Sequence, residues 1–238
     1  MKKTLLPILI GSILLTACRK QDFDTPPAPP AEPCLEQTAK PAGRIYTSDS
    51  LVSFTCTSKH CGLVPLSTKN YWVYEDSLFN YGVFVKVQLD TLRYSATWKS
   101  LSDDLVWWES SLYVGIPQRL FANDSTIYRT EERSFMPGVI DAKKDYSLFP
   151  GDSLRYLGSF DDVAAPGRSL RLAAPVTSPA GSFTDCIYFE KNARNYRKDQ
   201  VFFKPGIGVI KYIQEKGNMG MPGVKLQQVS TLVAYHIE

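Results

Sequence analysis

Apolar residues occupy every second position over one stretch in the first half of the chain. The odd-numbered positions of this stretch are all apolar: Val83, Val85, Val87 and Leu89. From Leu92 to Trp98 the apolar residues instead occupy the even-numbered positions, a switch of parity. A period of two is typical of a strand whose faces differ in polarity. Because neither glycine nor proline stands at the switch, the pattern predicts a bulge or sharp bend within one long strand.

The end of the chain repeats this pattern, since the apolar parity switches again between Val224 and Ile237. Turn-forming residues separate the other apolar runs, for example at Asn80-Tyr81-Gly82 and Pro205-Gly206. Beyond the N-terminus no stretch sustains an apolar period of three to four, so only short helical turns near residues 116–123 are expected. The sequence predicts an all-β fold over residues 46–238: a single domain of antiparallel, strongly curved sheet, either open-barrel or sandwich-like.

The first eighteen residues have the pattern of a secretory signal for lipid attachment. Lys2 and Lys3 form a charged start, an apolar stretch runs from Leu5 to Leu15, and small residues precede Cys18. The stretch is too short to span a bilayer as a mature helix. We therefore expect residues 1–17 to be a lipoprotein signal peptide, and Cys18 to be acylated and to anchor the chain in a membrane.

A proline-dense segment follows the expected anchor. Residues 25–33 favour extended polyproline II, which rises about 3.1 Å per residue. We expect residues 18–45 to form a tether that holds the domain away from the membrane. Arg19 follows the anchor cysteine where an aspartate would favour the inner membrane, so the outer membrane is the expected location. Whether the domain faces the periplasm or the cell exterior stays open.

The charge balance argues against nucleic acid as a partner. The chain has a net charge of +3, and loss of Lys2 and Lys3 with the signal leaves 25 basic against 24 acidic residues. Interspersed, balanced charge offers no electrostatic footprint for nucleic acid or for an anionic membrane surface. Contact with the membrane is therefore expected through the lipid alone.

Four cysteines are available for disulfides if Cys18 is acylated: Cys34, Cys56, Cys61 and Cys186. An exported chain matures in an oxidising compartment, where two bridges can form. Only four residues separate Cys56 from Cys61, so a local loop is the simplest pair, although Cys34 can pair with either. Cys186 lies in an apolar run and is either bridged or a free buried thiol.

Two adjacent tryptophans are candidate ligand contacts. Trp107 and Trp108 lie in a predicted strand, so their side chains point to opposite faces of the sheet. One of them can lie in the core. The other is either covered by a second layer or exposed, and an exposed tryptophan suits a sugar ring or an apolar ligand.

A tripeptide of aspartate, serine or threonine, and an aliphatic residue or threonine recurs along the chain. Its hydroxyl residues are Ser50, Ser77, Thr91, Ser125 and Ser153. Composition alone gives about one such match. The tripeptide resembles the O-glycosylation acceptor of exported proteins of the Bacteroidota, which implies glycan on at least one of these hydroxyls. The same residues also start turns by bonding to their own backbone.

The C-terminal third carries two longer motifs, VTSPAGSFTDCIYFE over residues 176–190 and VFFKPGIGVIKY over residues 201–212. An early NYWVY segment covers residues 70–74. Together with the lipid-attachment signal, these motifs resemble uncharacterised outer-membrane or surface lipoproteins of the Bacteroidota over roughly residues 65–238. The resemblance implies a curved antiparallel sheet and carries no recognised activity.

Residue patterns for catalysis are missing from the sequence. There is no Gly-x-Ser-x-Gly, and His60 and His236 are the only histidines, which also leaves zinc without enough ligands. Adjacent acids such as Asp103 and Asp104 point apart on a strand or lie solvated in turns. We therefore expect a non-enzymatic binding or interaction module without metal or cofactor, whose partner is an envelope protein or a glycan.

The alternative is a periplasmic carrier of a lipid or other apolar ligand in an open-barrel cavity. A carrier predicts a cavity lined by the row from Val83 to Leu89. A binding module predicts a filled core together with an exposed apolar or aromatic patch.

Overall fold

A computed structural model of the chain describes residues 35–148, 153–160, 163–217 and 223–238. The predicted signal peptide, Cys18, Cys34 and the proline-dense segment lie outside these residues. Apart from the 3-10 turn Ser48–Ser50, all regular structure in the described ranges is β, which confirms the predicted all-β class. The strands are β1 (Leu35–Glu36), β2 (Ile45–Thr47), β3 (Leu51–Phe54), β4 (His60–Cys61), β5 (Tyr71–Asn80), β6 (Val83–Leu92), β7 (Tyr94–Ser100), β8 (Val106–Ser110), β9 (Arg119–Ala122), β10 (Thr126–Arg133), β11 (Met136–Ser147), β12 (Ser153–Phe160), β13 (Val163–Arg171), β14 (Val176–Ser178), β15 (Gly181–Phe183), β16 (Ile187–Ala193), β17 (Arg197–Lys204), β18 (Gly208–Gly217) and β19 (Val224–His236).

One sheet is antiparallel and seven-stranded, in the order β2-β11-β10-β9-β8-β7-β3. One of its faces encloses a core that includes Tyr46, Trp107 and Phe121. Tyr46 on the first strand and Leu51 on the last strand of this order belong to the same core, so the sheet curls until both its edges reach one interior. Tyr46 meets Trp107 edge to face, with ring centroids 5.9 Å apart.

The second sheet is antiparallel and eight-stranded, in the order β12-β13-β16-β17-β18-β19-β5-β6. One of its faces packs against the other face of the seven-stranded sheet in the largest core, where Trp72, Trp108 and Tyr212 are buried. Trp72 Nε1 donates a hydrogen bond to the carbonyl oxygen of Ile207 at 2.6 Å. Large aromatic side chains supply much of the hydrophobic stabilisation of such a core, each contributing about 1.5–3 kcal/mol on full burial.

The parity switch after Leu89 is a crossing between the two sheets. β6 ends at Leu92, Arg93 stands outside both strands, and β7 begins at Tyr94. β6 pairs with β5 in the eight-stranded sheet, whereas β7 pairs with β3 and β8 in the seven-stranded one. The prediction of a bend is confirmed, but the prediction of one continuous strand is wrong, because the bend transfers the chain to another sheet.

The parity switch near the C-terminus is a pair of bulges in one strand, as predicted. On β19, Gln227 has no residue opposite it on β18, and Val233 has none opposite it on β5. Each bulge adds one residue and turns the following side chains to the other face. The prediction of helical turns near residues 116–123 is wrong, because β9 occupies much of that segment.

The β domain begins before residue 46, so the predicted tether is too long at its C-terminal end. The Leu35 N–H donates to the carbonyl oxygen of Lys59 at 3.0 Å, and β1 pairs in parallel with β4. Gln37 is buried, and Ala39 packs on the core inside the curled sheet. Residues from Leu35 onward are therefore part of the folded body.

Candidate functional site

β6 carries the longest run of exposed apolar side chains in the described part of the chain. Five of its side chains are between 49 and 70 % exposed: Val83, Phe84, Val85, Val87 and Leu89. Monomeric proteins rarely leave a contiguous apolar surface uncovered unless it binds something. The row from Val83 to Leu89, expected for a carrier to line a cavity, therefore lies on the surface, and that expectation is wrong.

β6 is also the edge of its sheet, and among the described residues it pairs with β5 alone. The two strands are joined by Tyr81 and Gly82, whose φ angles of 50° and 86° fit a two-residue type I′ turn. A bulge leaves Val85 without an opposite residue, and pairing with β5 is regular from Lys86 to Leu92. A long, apolar edge with free backbone groups is a surface for strand pairing.

A cleft of about 660 Å³ between the two sheets forms a second candidate site. Charged side chains of both signs dominate its lining: Glu109, Arg119, Arg129, Glu131, Glu132, Asp145, Lys191, Arg197 and Lys216. Most of these charges are paired with one another, for example Arg119 with Glu109 at 2.9 Å and Arg129 with Glu131 at 2.7 Å. The Nε of Arg129 is buried without a hydrogen-bond partner.

Two ion pairs lie at the floor of the cleft, and the first is almost fully buried. Lys191 Nζ lies 2.7 Å from Asp145 Oδ1, and both side chains are less than 5 % exposed. Arg197 binds Asp199 through two hydrogen bonds of 2.8 and 2.6 Å. Burial opposes the charge of Arg197, but the hydrogen bonds with Asp199 prevail and raise its pKa. Burial also raises the pKa of Tyr113, which donates to Asp199 at 2.8 Å.

Two neighbouring carboxyl groups, those of Asp76 and Asp90, lie at the β5–β6 end of the eight-stranded sheet. Asp76 is 1 % exposed, and its Oδ1 has no hydrogen-bond partner. Burial raises the pKa of Asp76 to about 6, and the neighbouring Asp90 adds to the shift, while Ser230 and Gln228 oppose it. An acid held in this way binds its proton far more tightly than a solvated aspartate.

The tryptophans predicted as ligand contacts are not available to a ligand. Trp107 and Trp108 point to opposite faces of β8, as expected, but both are 0 % exposed. Trp107 lies in the core inside the curled sheet, and Trp108 lies in the core between the sheets. The prediction that one of them contacts a ligand is therefore wrong, because both faces of this sheet are covered.

The cysteines do not form the local bridge predicted from spacing. Cys56 and Cys186 are free, buried thiols, whereas Cys61 is disulfide-bonded. The predicted Cys56–Cys61 pair is therefore wrong. The partner of Cys61 lies outside the described residues, as Cys34 does. Burial raises the pKa of the Cys186 thiol, which keeps it protonated.

The five candidate glycosylation hydroxyls occupy different settings. Ser50 ends the 3-10 turn, where its Oγ donates to the carbonyl oxygen of Thr47 at 2.8 Å. Ser125 is exposed between β9 and β10, and Ser153 is exposed at the start of β12. Ser77 is half-buried on β5, and Thr91 is exposed on β6. Glycan on any of them stays a prediction.

Several buried polar residues were missed at the level of sequence, although their parity carried a signal. Asp76 follows the buried parity of Trp72 and Tyr74 on β5. Lys191 in the same way follows the buried parity of Phe189 on β16. A charged residue on an apolar parity is a candidate for a buried pair, because burial of an isolated charge is costly.

The described residues contain no group of three or more histidine, cysteine, aspartate or glutamate side chains that could hold a metal ion. They also contain no helix long and apolar enough to cross a membrane. No protein-family profile, no curated protein and no solved structure matches the chain.

Proposed function

We propose that this chain is a lipid-anchored lipoprotein of the bacterial outer membrane, similar to uncharacterised lipoproteins of the Bacteroidota, and that its β domain is a non-enzymatic binding module. The signal pattern ending at Cys18 and the proline-dense segment support the anchor. The exposed apolar edge strand β6 is the observation that carries the binding role.

The partner that β6 fits best is an extended segment of another protein. Free backbone groups along the edge can pair with an added strand, and alternate side chains such as Val87 and Leu89 contribute apolar contacts. On the face shared with β5, Phe84 stacks edge to face on Phe79 at 5.8 Å, which offers an aromatic anchor at one end. Exposed Lys86 disfavours simple aggregation of this edge.

The anchor is tested by replacing the acylated thiol. We expect Cys18→Ser to prevent lipid attachment and to remove the protein from the outer-membrane fraction, because one side chain carries the whole attachment. Fractionation with immunoblotting, and intact-mass measurement of the parent protein, check this result. A variant that still sediments with the outer membrane would contradict the anchor.

The binding surface is tested by site-specific photocrosslinking in the native envelope. A crosslinker at Val87 is expected to give a discrete adduct, and a synthetic peptide of the crosslinked segment is expected to protect β6 amides from hydrogen exchange. Leu89→Lys should weaken peptide binding at least tenfold, or about 1.4 kcal/mol, because it places an ammonium in an apolar contact.

A matched control lies at the opposite edge of the same sheet. Leu157 on β12 is 78 % exposed, so Leu157→Lys makes the same chemical change on the surface without touching β6. It should leave peptide binding unchanged. Equal losses from Leu89→Lys and Leu157→Lys, or protection of amides away from β6, would argue against binding at this strand.

A glycan is the second candidate partner, and the cleft between the sheets favours it. Planar guanidinium, carboxylate and amide groups such as those of Arg129, Glu131 and Gln214 suit the hydroxyl groups of sugars. Binding there would be unaffected by Leu89→Lys, which separates it from strand addition. A glycan array with the wild-type protein and this variant makes the comparison.

A further inference from the structure

Three side chains meet at the short strand β4: His60 on the strand, Cys56 four residues before it, and Gln37 from near the start of the described chain. Cys56 Sγ lies 3.5 Å from His60 Nε2, within hydrogen-bond distance for sulfur. The other ring nitrogen, Nδ1, contacts Nε2 of the Gln37 side-chain amide. The Cys56 backbone N–H donates to Thr97 Oγ1 at 3.2 Å, which fixes the thiol on this side of the sheet. A thiol, an imidazole and an orienting amide therefore stand in line.

This group lines a cavity of about 420 Å³ that is open to solvent. Its walls are mostly apolar, with Phe54 and Phe121 among them, and Cys56, His60 and Gln37 are among the polar residues that line it. Asp104 is the other titratable group in the lining, and Lys99 pairs with it at 2.8 Å. A small molecule can thus reach Cys56 although the residue is only 6 % exposed.

The amide of Gln37 decides how His60 can act. In the structure Gln37 Nε2 faces Nδ1, and Gln37 Oε1 is buried without a hydrogen-bond partner. An end-for-end rotation of the amide places its oxygen against the ring, so that Nδ1 keeps a proton and Nε2 is left as an acceptor for the thiol proton. Burial lowers the pKa of His60, so the imidazole is neutral at pH 7 and able to accept. The edge of the ring also packs on Trp108, with centroids 5.4 Å apart, which restricts its rotation.

We propose that Cys56 is a thiol–disulfide exchange site, with His60 as its proton acceptor and Gln37 as a positioning residue. A small disulfide, written R–S–S–R, enters the cavity and Cys56 gives its proton to His60 Nε2. The sulfur attacks one sulfur of the disulfide, the Cys56–S–S–R bond forms and the R–S–S–R bond breaks. The leaving thiolate takes the proton from His60 and departs as R–SH.

Disulfides are favoured over acyl compounds as substrates because exchange needs only a thiolate and a proton shuttle. Acyl transfer also needs donors for an oxyanion, and the Cys56 N–H is already bound to Thr97. This inference is independent of strand addition at β6, since the cavity lies among β1, β3 and β8 residues such as Leu35, Phe54 and Val106.

The test uses the full protein and 5,5′-dithiobis(2-nitrobenzoate), an aromatic disulfide that releases a coloured thiol. Peptide mass mapping of the modified wild-type protein identifies the reacting cysteine without any variant. We expect Cys56 to react at least tenfold faster than Cys186, which is buried and free and serves as the internal control. Cys56 reacting no faster than Cys186 overturns the proposal.

The role of His60 is tested by its pH profile. His60→Asn is expected to slow modification of Cys56 at least tenfold at pH 7, and to approach the wild-type rate only near pH 8.5, where a thiol ionises unaided. Gln37→Ala should slow it less, by about threefold. Near-ultraviolet circular dichroism confirms that the variants are folded. A wild-type rate for folded His60→Asn at pH 7 overturns the proposal.

Discussion

Replacing Lys191 with methionine is expected to lower the free energy of unfolding by about 3 kcal/mol. Lys191 Nζ is 2.7 Å from Asp145, and its side chain is 2 % exposed. The ammonium also lies over the rings of Tyr146 and Phe160, 4.8 and 5.1 Å from their centroids. Methionine keeps the length of the side chain but leaves the Asp145 carboxylate buried, with Arg129 only at 3.9 Å. Urea denaturation followed by circular dichroism measures the loss.

Two further variants distinguish a buried pair from a general effect of lost charge. Lys143 pairs with Glu131 at 3.0 Å but is 39 % exposed, so Lys143→Met should cost less than about 1 kcal/mol. Adding Asp145→Leu to Lys191→Met should restore most of the stability, because no charge is then left buried. Equal losses for Lys191→Met and Lys143→Met would contradict this account of the cleft floor.

Asp76→Asn is expected to stabilise the protein at pH 7.5 by about 3 kcal/mol and to have little effect at pH 4. The pKa of Asp76 is about 6 in the folded protein, against an ordinary value of 3.8. The folded state therefore binds this proton more tightly than the unfolded state, and stability is lost as the pH rises from about 4 through 6. Asparagine cannot ionise, so it removes that loss.

The comparison between wild type and variant isolates Asp76 from other acids. Hydrogen bonding to Arg133 lowers the pKa of Asp141, so Asp141 makes the stability of the folded protein rise with pH. This contribution is the same in wild type and in Asp76→Asn, and it cancels in their difference. Asp90→Asn is the matched control, because it removes the neighbouring charge and should lower the pKa of Asp76. If the stability difference between wild type and Asp76→Asn is the same at pH 4 and pH 7.5, Asp76 does not titrate as described.

The strands were predictable from alternation, whereas their positions in the sheets were not. A period of two shows that the faces of a strand differ, but it does not show which face is inside. On β6 the apolar Val87 and Leu89 face solvent, whereas the polar Gln88 and Asp90 are half-buried on the other face. The switch after Leu89 likewise predicts a bend, but the transfer to a second sheet depends on pairing with distant strands such as β3.

The cleft and the cavity beside β4 were less predictable, because each depends on residues brought together from distant segments. Lys191 and Asp145 are 46 positions apart, and Gln37 and His60 are 23 apart. Local spacing instead favoured the Cys56–Cys61 loop, which the structure does not form. The buried parity of β5 was the one local signal that pointed to Asp76.

The order of strands in the eight-stranded sheet also affects how the protein can mature. β19 follows every other strand along the chain, yet it lies between β18 and β5. The hairpin of β5 and β6 therefore has no place in its sheet until residues up to His236 are available for pairing. Under the export that we propose, nearly the whole polypeptide must be delivered before the barrier to folding can be crossed, so chaperones that shield the early hairpin are expected to matter for its yield.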